Sequence, residues 1–248
     1  MAAVETVYQG SVAVVRLINE PANAIGRELV ADLSAALEEA RHKAGAMVIC
    51  GGPKFFSIGI DLPFLLTLEH REMAAFWDSF TGLCFDLYAV DIPVVCAMAG
   101  HAVAGGNILA LSGDFRFGSR EKKRIGLNEI KLGVPVPGPA DLILRQVVGD
   151  RVATRMMYEG NFLSFEEAEA VGLIDELHPA DSVEDRAVEK AAMLADFEPK
   201  AFSAIKNGRV DEVRSRHLET VREKNERFLD CWFSEPVRQK LAEAAKKF

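Results

Sequence analysis

The sequence predicts an α/β fold with both sheet faces covered, giving way to a helical C-terminal extension. Three observations carry this reading. Strand and helix signals alternate through the first half of the 248 residues, and strand signals almost vanish after the proline-rich GVPVPGPA (133–140). With 49% hydrophobic residues and no Gly/Ser linker, the chain can bury one substantial core. A core over residues 1–190 and an extension over 191–248 follow.

TVYQG (6–10), a Gly-Ser turn and VAVVRLI (12–18) read as a hairpin rich in β-branched residues, which Pro21-Ala22-Asn23-Ala24 ends. ELVADLSAALEEARH (28–42) places Leu29, Leu33, Ala36 and Leu37 at helical spacing. AMVIC (46–50) reads as a buried strand. REMAAFWDSFTGLCFDLYAV (71–90) reads as a long helix with a wide apolar face, stopped before Pro93. VVCAMAG (94–100) is a strand, GGNILALSG (105–113) a short apolar helix entered through glycines, and DFRFGS (114–119) a strand. Beyond residue 140, ADLILRQVVG, RVATRMMYEG, FEEAEAVGL, VEDRAVEKAAMLADF and VDEVRSRHLETVREKNERFLDCWF all read as helices. One short strand fits within 172–177. Phe228, Leu229, Trp232 and Phe233 give the last long helix an apolar face suited either to the chain's own core or to a neighbouring subunit.

The formal net charge of −8 speaks against nucleic acid or an anionic membrane as partner. No apolar run reaches the roughly 18 residues of a membrane span. MAAVETVYQG lacks the basic and apolar regions of a secretory signal. Cys50, Cys84, Cys96 and Cys231 form no CxxC pair, and the histidines are dispersed. Free thiols in a reducing compartment, no metal and a cytoplasmic location are therefore expected.

Two strand ends carry unusual backbone chemistry. FFSIGIDL (55–62) is apolar where a loop after a strand is ordinarily polar, and Gly59 stands between two isoleucines. AMAGHAVAGGNILAL (97–111) runs from a strand through Ala104-Gly105-Gly106 into a helix. Small residues there let backbone N–H groups approach a ligand, and such groups suit an oxyanion. The spacing is neither a dinucleotide fingerprint nor a P-loop. A third element is Glu129 in IGLNEIKLGVPVPG (125–138). It is either a solvated neighbour of Lys131 or a buried carboxyl whose pKa is raised into the range of a general base.

Together and in this order, these stretches resemble the crotonase family, the enoyl-CoA hydratase/isomerase superfamily, over nearly the whole chain. FFSIGIDL, AGHAVAGGNILALSGD (99–114) and GLNEIKLGVPVPG (126–138) match its three signature stretches. EPANAI (20–25) and FLDCWFSEPVRQ (228–239) resemble its N-terminal turn and C-terminal segment. The resemblance implies the crotonase (ClpP-like) fold, a spiral of ββα units. It also implies a homotrimer or dimer of trimers with the C-terminal helices between subunits. The implied substrate is an acyl-CoA, with coenzyme A as part of the substrate and no permanently bound cofactor. In the implied site the N–H groups of Ile60 and Gly105 stabilise a thioester oxyanion and Glu129 is the base. Ser57, Ile58, Gly59, Asp61, Leu62, Gly106, Ile108 and Leu132 surround the substrate; Lys54 is either a ligand of a CoA phosphate or a solvated turn lysine. Asp114 is expected to be structural, His101 a bystander, and Asp61 a brace for its own loop.

The chain also departs from parts of that family. Of the hydratases' two glutamates the second matches Glu129 and the first falls on Ile108, and the aspartate of the dienoyl-CoA isomerase branch falls on Pro137. One carboxylate suffices to move a proton between C2 and C4 of an acyl chain, so the expected activity is that of a Δ3,Δ2-enoyl-CoA isomerase. Hydration or another crotonase reaction (thioester hydrolysis or decarboxylation) is the alternative. An acyl-CoA- or RNA-binding paralogue without catalysis is the alternative of another class.

Overall fold

In a computed structural model, which describes residues 2–246, β1 (Val4–Gln9) and β2 (Val12–Leu17) pair antiparallel as the hairpin pattern requires. The helix α1 (Arg27–Lys43) then buries Leu29, Leu33, Leu37 and Ala40 along one stripe.

Three ββα units follow. The first is β3 (Ala46–Cys50), β4 (Phe55–Ser57), the short α2 (Leu62–Leu65) and α3 (His70–Ala89). The second is β5 (Val94–Met98), β6 (His101–Val103) and α4 (Gly105–Leu111). The third is β7 (Phe115–Ser119), β8 (Arg124–Gly126), α5 (Glu129–Leu132) and α6 (Gly138–Glu159). In each unit a strand of five residues joins a large sheet, the chain bends, and a strand of three joins a second, smaller sheet. The chain continues through β9 (Leu163–Ser164), α7 (Phe165–Ala170), β10 (Glu176–His178), α8 (Val183–Ala195), α9 (Pro199–Phe233) and α10 (Glu235–Ala245). The large sheet has the order β1-β2-β3-β5-β7-β10 and is parallel from β2 onward. The small sheet has the order β4-β6-β8-β9, its first three strands parallel. This is the α/β architecture of the crotonase fold.

AMVIC and VVCAM are buried at every position because parallel strands are covered on both faces. On one face α8 packs Val183, Ala187 and Ala191 against Val14, Val48 and Val95. The larger core on the other face gathers α1, α3, α4, α6 and α9. The stretch 138–159 is one helix interrupted at Gly149, whose φ is 78°. The short strand expected within 172–177 forms slightly later, as β10. Phe228, Leu229 and Trp232 are buried within the chain itself, and Phe228 lies face to face with Trp77 of α3, ring centroids 3.4 Å apart. The last two residues of the 191–248 extension lie outside the described residues.

The long helix α9 is pinned to the core by charge. Lys206 Nζ, in a side chain only 3% exposed, donates to Asp114 Oδ2 at 2.7 Å and to Ile92 O at 3.0 Å. Arg209 reaches the other oxygen of Asp114, Oδ1, while Oδ2 also accepts the Val94 N–H at 2.9 Å. Burial pulls the Lys206 ammonium pKa down against the opposing pull of Asp114. Asp114 is thus structural, as the sequence suggests. Lys206→Met is expected to lower stability by about 3 kcal/mol, because it strips the better buried partner from a desolvated carboxylate. A urea titration with an unchanged slope would register it as a lower midpoint.

Candidate active site

The small sheet is what assembles the site. Its strands β4, β6 and β8 are adjacent and parallel, so their C-terminal ends lie side by side, about 5 Å from strand to strand. Ile60 comes three residues after β4, Gly105 two after β6 and Glu129 three after β8. All three groups therefore leave the same edge of one sheet, although 69 positions separate the first from the last.

The direction of the Ile60 N–H follows from its pairing. Ile60 bridges Ile25 in parallel fashion: the Ile25 N–H donates to Gly59 O at 2.7 Å and the Asp61 N–H donates to Ile25 O at 3.0 Å. A parallel bridge uses the groups flanking a residue and turns that residue's own N–H to the opposite side. Among the described residues, the N–H groups of Ile60 and Gly105 have no acceptor. They also face each other closely. A Cβ on Gly105 would lie 3.1 Å from Ile60 N, and a Cβ on Gly59 would lie 3.0 Å from Gly105 N. Gly59 has φ +103°, a conformation that side chains resist, so glycine is required there for both reasons. Gly106 is tighter still, since a Cβ would meet Ser57 O at 2.2 Å.

Ala104 sits immediately before the second donor with φ 50° and ψ −123°. A non-glycine residue held there stores roughly 1–3 kcal/mol, and its ψ sets the direction of the Gly105 N–H. The Ala104 N–H donates to Gly126 O at 2.9 Å, which fixes the turn to β8. Ser57, fully buried, spends its hydroxyl on the loop: it donates to Asn23 O at 2.7 Å and accepts from the Gly59 N–H at 3.1 Å. Asp61 caps α2 by accepting the Phe64 N–H at 3.1 Å, and Leu62 packs inward.

Glu129 begins α5 and is 6% exposed. Its Oε2 is buried with no hydrogen-bond partner among the described residues, as is Oδ1 of the preceding Asn128. Burial pushes the Glu129 carboxyl from its ordinary value to about 7, against the opposing pull of the Asn128 and Glu129 N–H groups. A buried carboxyl with one oxygen left without a partner and a raised pKa has the properties that a general base near neutral pH requires. Ile108 on α4 is 3% exposed, while Ile58 and Leu132 are half-buried.

Lys54 and His101 stand at the other, N-terminal ends of β4 and β6. Lys54 lies over the Phe55 ring, and His101 accepts the Arg124 N–H at 2.9 Å. The structure thus gathers the backbone donors and Glu129 at one edge and leaves Lys54 and His101 at the opposite one. Sequence reasoning missed Asn23, whose amide donates to the carbonyls of Phe55 and Phe56 and so braces β4. An asparagine in the Pro21-Ala22-Asn23-Ala24 break was the available signal, since asparagine tolerates the positive φ of 50° that it adopts here. A cleft of about 660 Å³ opens between α1 and α3, bordered by Arg27, Arg71 and Phe76, but none of the groups above lines it. Among the described residues no cluster of His, Cys, Asp or Glu could hold a metal. No helix there is long and apolar enough to cross a membrane.

Comparison with known proteins bears on the chemistry. The family model for enoyl-CoA hydratase/isomerase matches residues 8–247. The probable enoyl-CoA hydratase echA17 of Mycobacterium avium (strain 104) is 34% identical over 195 residues, 78% of this chain and 75% of that one. The mitochondrial enoyl-CoA delta isomerase 1 of Mus musculus is 32% identical over 188 residues, 74% of this chain and 65% of that one. Among solved structures, human mitochondrial Δ3-Δ2-enoyl-CoA isomerase superposes with a TM-score of 0.94 over 99% of this chain and 97% of its own, at 24% identity, which speaks to fold alone.

Proposed function

The chain belongs to the enoyl-CoA hydratase/isomerase family, and within that acyl-CoA-processing family we propose that it is a Δ3-Δ2 enoyl-CoA isomerase. The observation that carries this reading is the buried carboxyl of Glu129, which leaves the same edge of the small sheet as two unpaired backbone donors, with the apolar Ile108 at the position of the hydratases' other glutamate. Ionised Glu129 takes the C2 proton of a 3-enoyl-CoA. The electron pair moves into a dienolate, and the charge on the thioester oxygen is held by the N–H groups of Ile60 and Gly105. Glu129 then returns the same proton at C4, giving the conjugated 2-enoyl-CoA. The buried Ile108 cannot hold or activate water, and with Ile58 and Leu132 it supports a dry intermediate.

The test is a small acyl-CoA panel with products identified by mass and by absorbance of the conjugated enoyl thioester. 3-Hexenoyl-CoA is expected to isomerise faster than crotonyl-CoA hydrates. Faster hydration, or a product differing in mass through thioester hydrolysis or loss of carbon dioxide, would sink the isomerase reading.

A further inference from the structure

The C-terminal helix α10 lies across both halves of the site. It packs on α2, which follows the Ile60 donor directly, and on α5, which begins with Glu129. Two adjacent residues make these contacts. Val237 presses into the bend after α5, where a Cβ on Gly133 would be 2.8 Å from Val237 Cγ2. Arg238 Nη2 donates to Leu66 O, at the end of α2, at 2.8 Å. Arg238 has no carboxylate within ion-pair distance among the described residues. Its Nη1 is buried without an acceptor, and its guanidinium lies over the Phe233 ring at 5.7 Å. The latch thus rests on one hydrogen bond and on a stem packed over an aromatic ring. Behind it Leu241 is fully buried.

We infer that Arg238 is a positioning residue: by latching α10 onto α2 it keeps the C-terminal helix seated over the thioester site and excludes water from Glu129. The inference rests on the reading of Glu129 as the base, yet it concerns the base's surroundings and not the reaction. The carboxyl of Glu129 is sensitive to this because only burial raises it. None of the charges on the elements packed around it shifts it: not Lys131 on α5, Asp141 and Glu159 on α6, nor Glu235, Arg238 and Lys240 on α10. If α10 lifts, water reaches the carboxylate and its pKa returns toward the ordinary range.

Arg238→Met keeps the apolar stem over Phe233 and removes the donor, so the fold is retained. The titration of Glu129 is followed by 13C NMR in the substrate-free, glutamate-labelled protein and identified by the signal's loss in Glu129→Gln. The expected result is a midpoint lowered by about one pH unit or more in Arg238→Met. Arg238→Lys, which still reaches the carbonyl, restores most of it. Amide exchange should rise in 62–66 and 129–133 in the Met variant alone. An unchanged midpoint in folded Arg238→Met overturns the inference, as does equal loss in the Lys variant. Because no substrate is present, failure here is separable from failure of the isomerase reading.

Discussion

Glu129→Gln is expected to reduce isomerisation by about 10³-fold or more while leaving affinity for a saturated acyl-CoA nearly unchanged. Glutamine fills the same volume but cannot accept the C2 proton, and the buried Ile108 cannot stand in for it. In the unaltered protein the base must be ionised, so kcat/KM is expected to fall tenfold per unit as pH drops below about 7. A flat profile down to pH 5 would exclude Glu129 as the base. Stability should move the other way. The folded-state pKa lies above the unfolded one, so the protonated form favours folding: its contribution is whole below pH 4.5 and is lost as pH rises to about 7. That rise corresponds to about 3 kcal/mol. At pH 8 Glu129→Gln, which is always neutral, should therefore be more stable than the parent by up to about that amount, read from urea midpoints. Activity lost and stability gained by one substitution mark a group kept for chemistry.

Gly59→Ala should be the next most damaging change, though it touches no reacting atom. The new methyl would lie 3.0 Å from Gly105 N and 3.1 Å from Val103 O, at a φ of +103° that alanine resists. Both donors must then move apart. A fall in kcat of about 10²- to 10³-fold is expected, larger than any rise in KM, because full charge reaches the oxygen only in the transition state. Gly82→Ala in α3 is the matched control. Nothing lies within 4 Å of its Cβ, so kcat should hold and stability should rise by about 0.5–1 kcal/mol. Equal kcat for both variants would show that the donor spacing is not what Gly59 protects.

The large sheet and the long helices were legible because their periodicity runs over enough residues. AMVIC and VVCAM are uninterrupted apolar runs, and α3 repeats Met73, Phe76, Trp77, Phe80 and Leu83 along one side. The small sheet was not legible. FFS, HAV and RIG are three residues each, and no alternation can show itself over that length. The candidate donors were nevertheless nameable through the family resemblance, which the glycine-bearing stretches carry even where strands leave no mark. What the sequence could not supply was burial. Nothing in GLNEIKLG distinguishes a solvated Glu129 from an enclosed one, since burial depends on how elements distant in the chain pack around α5. The placing of Lys54 at the far end of β4 from Ile60 was likewise invisible while β4 itself was unseen.

The three ββα units divide the chemistry among themselves. On the proposed mechanism the first two contribute main-chain groups, Ile60 N–H and Gly105 N–H, while the third contributes the carboxyl of Glu129. Main-chain donors cannot be lost by ordinary substitution as long as the path of the chain is preserved. If these are the working groups, activation of a thioester is inherited with the backbone, whereas the fate of the activated carbon is written at two replaceable positions, 108 and 129. A lineage built on this plan can change its reaction by exchanging a residue at either position without first abandoning its class of substrate.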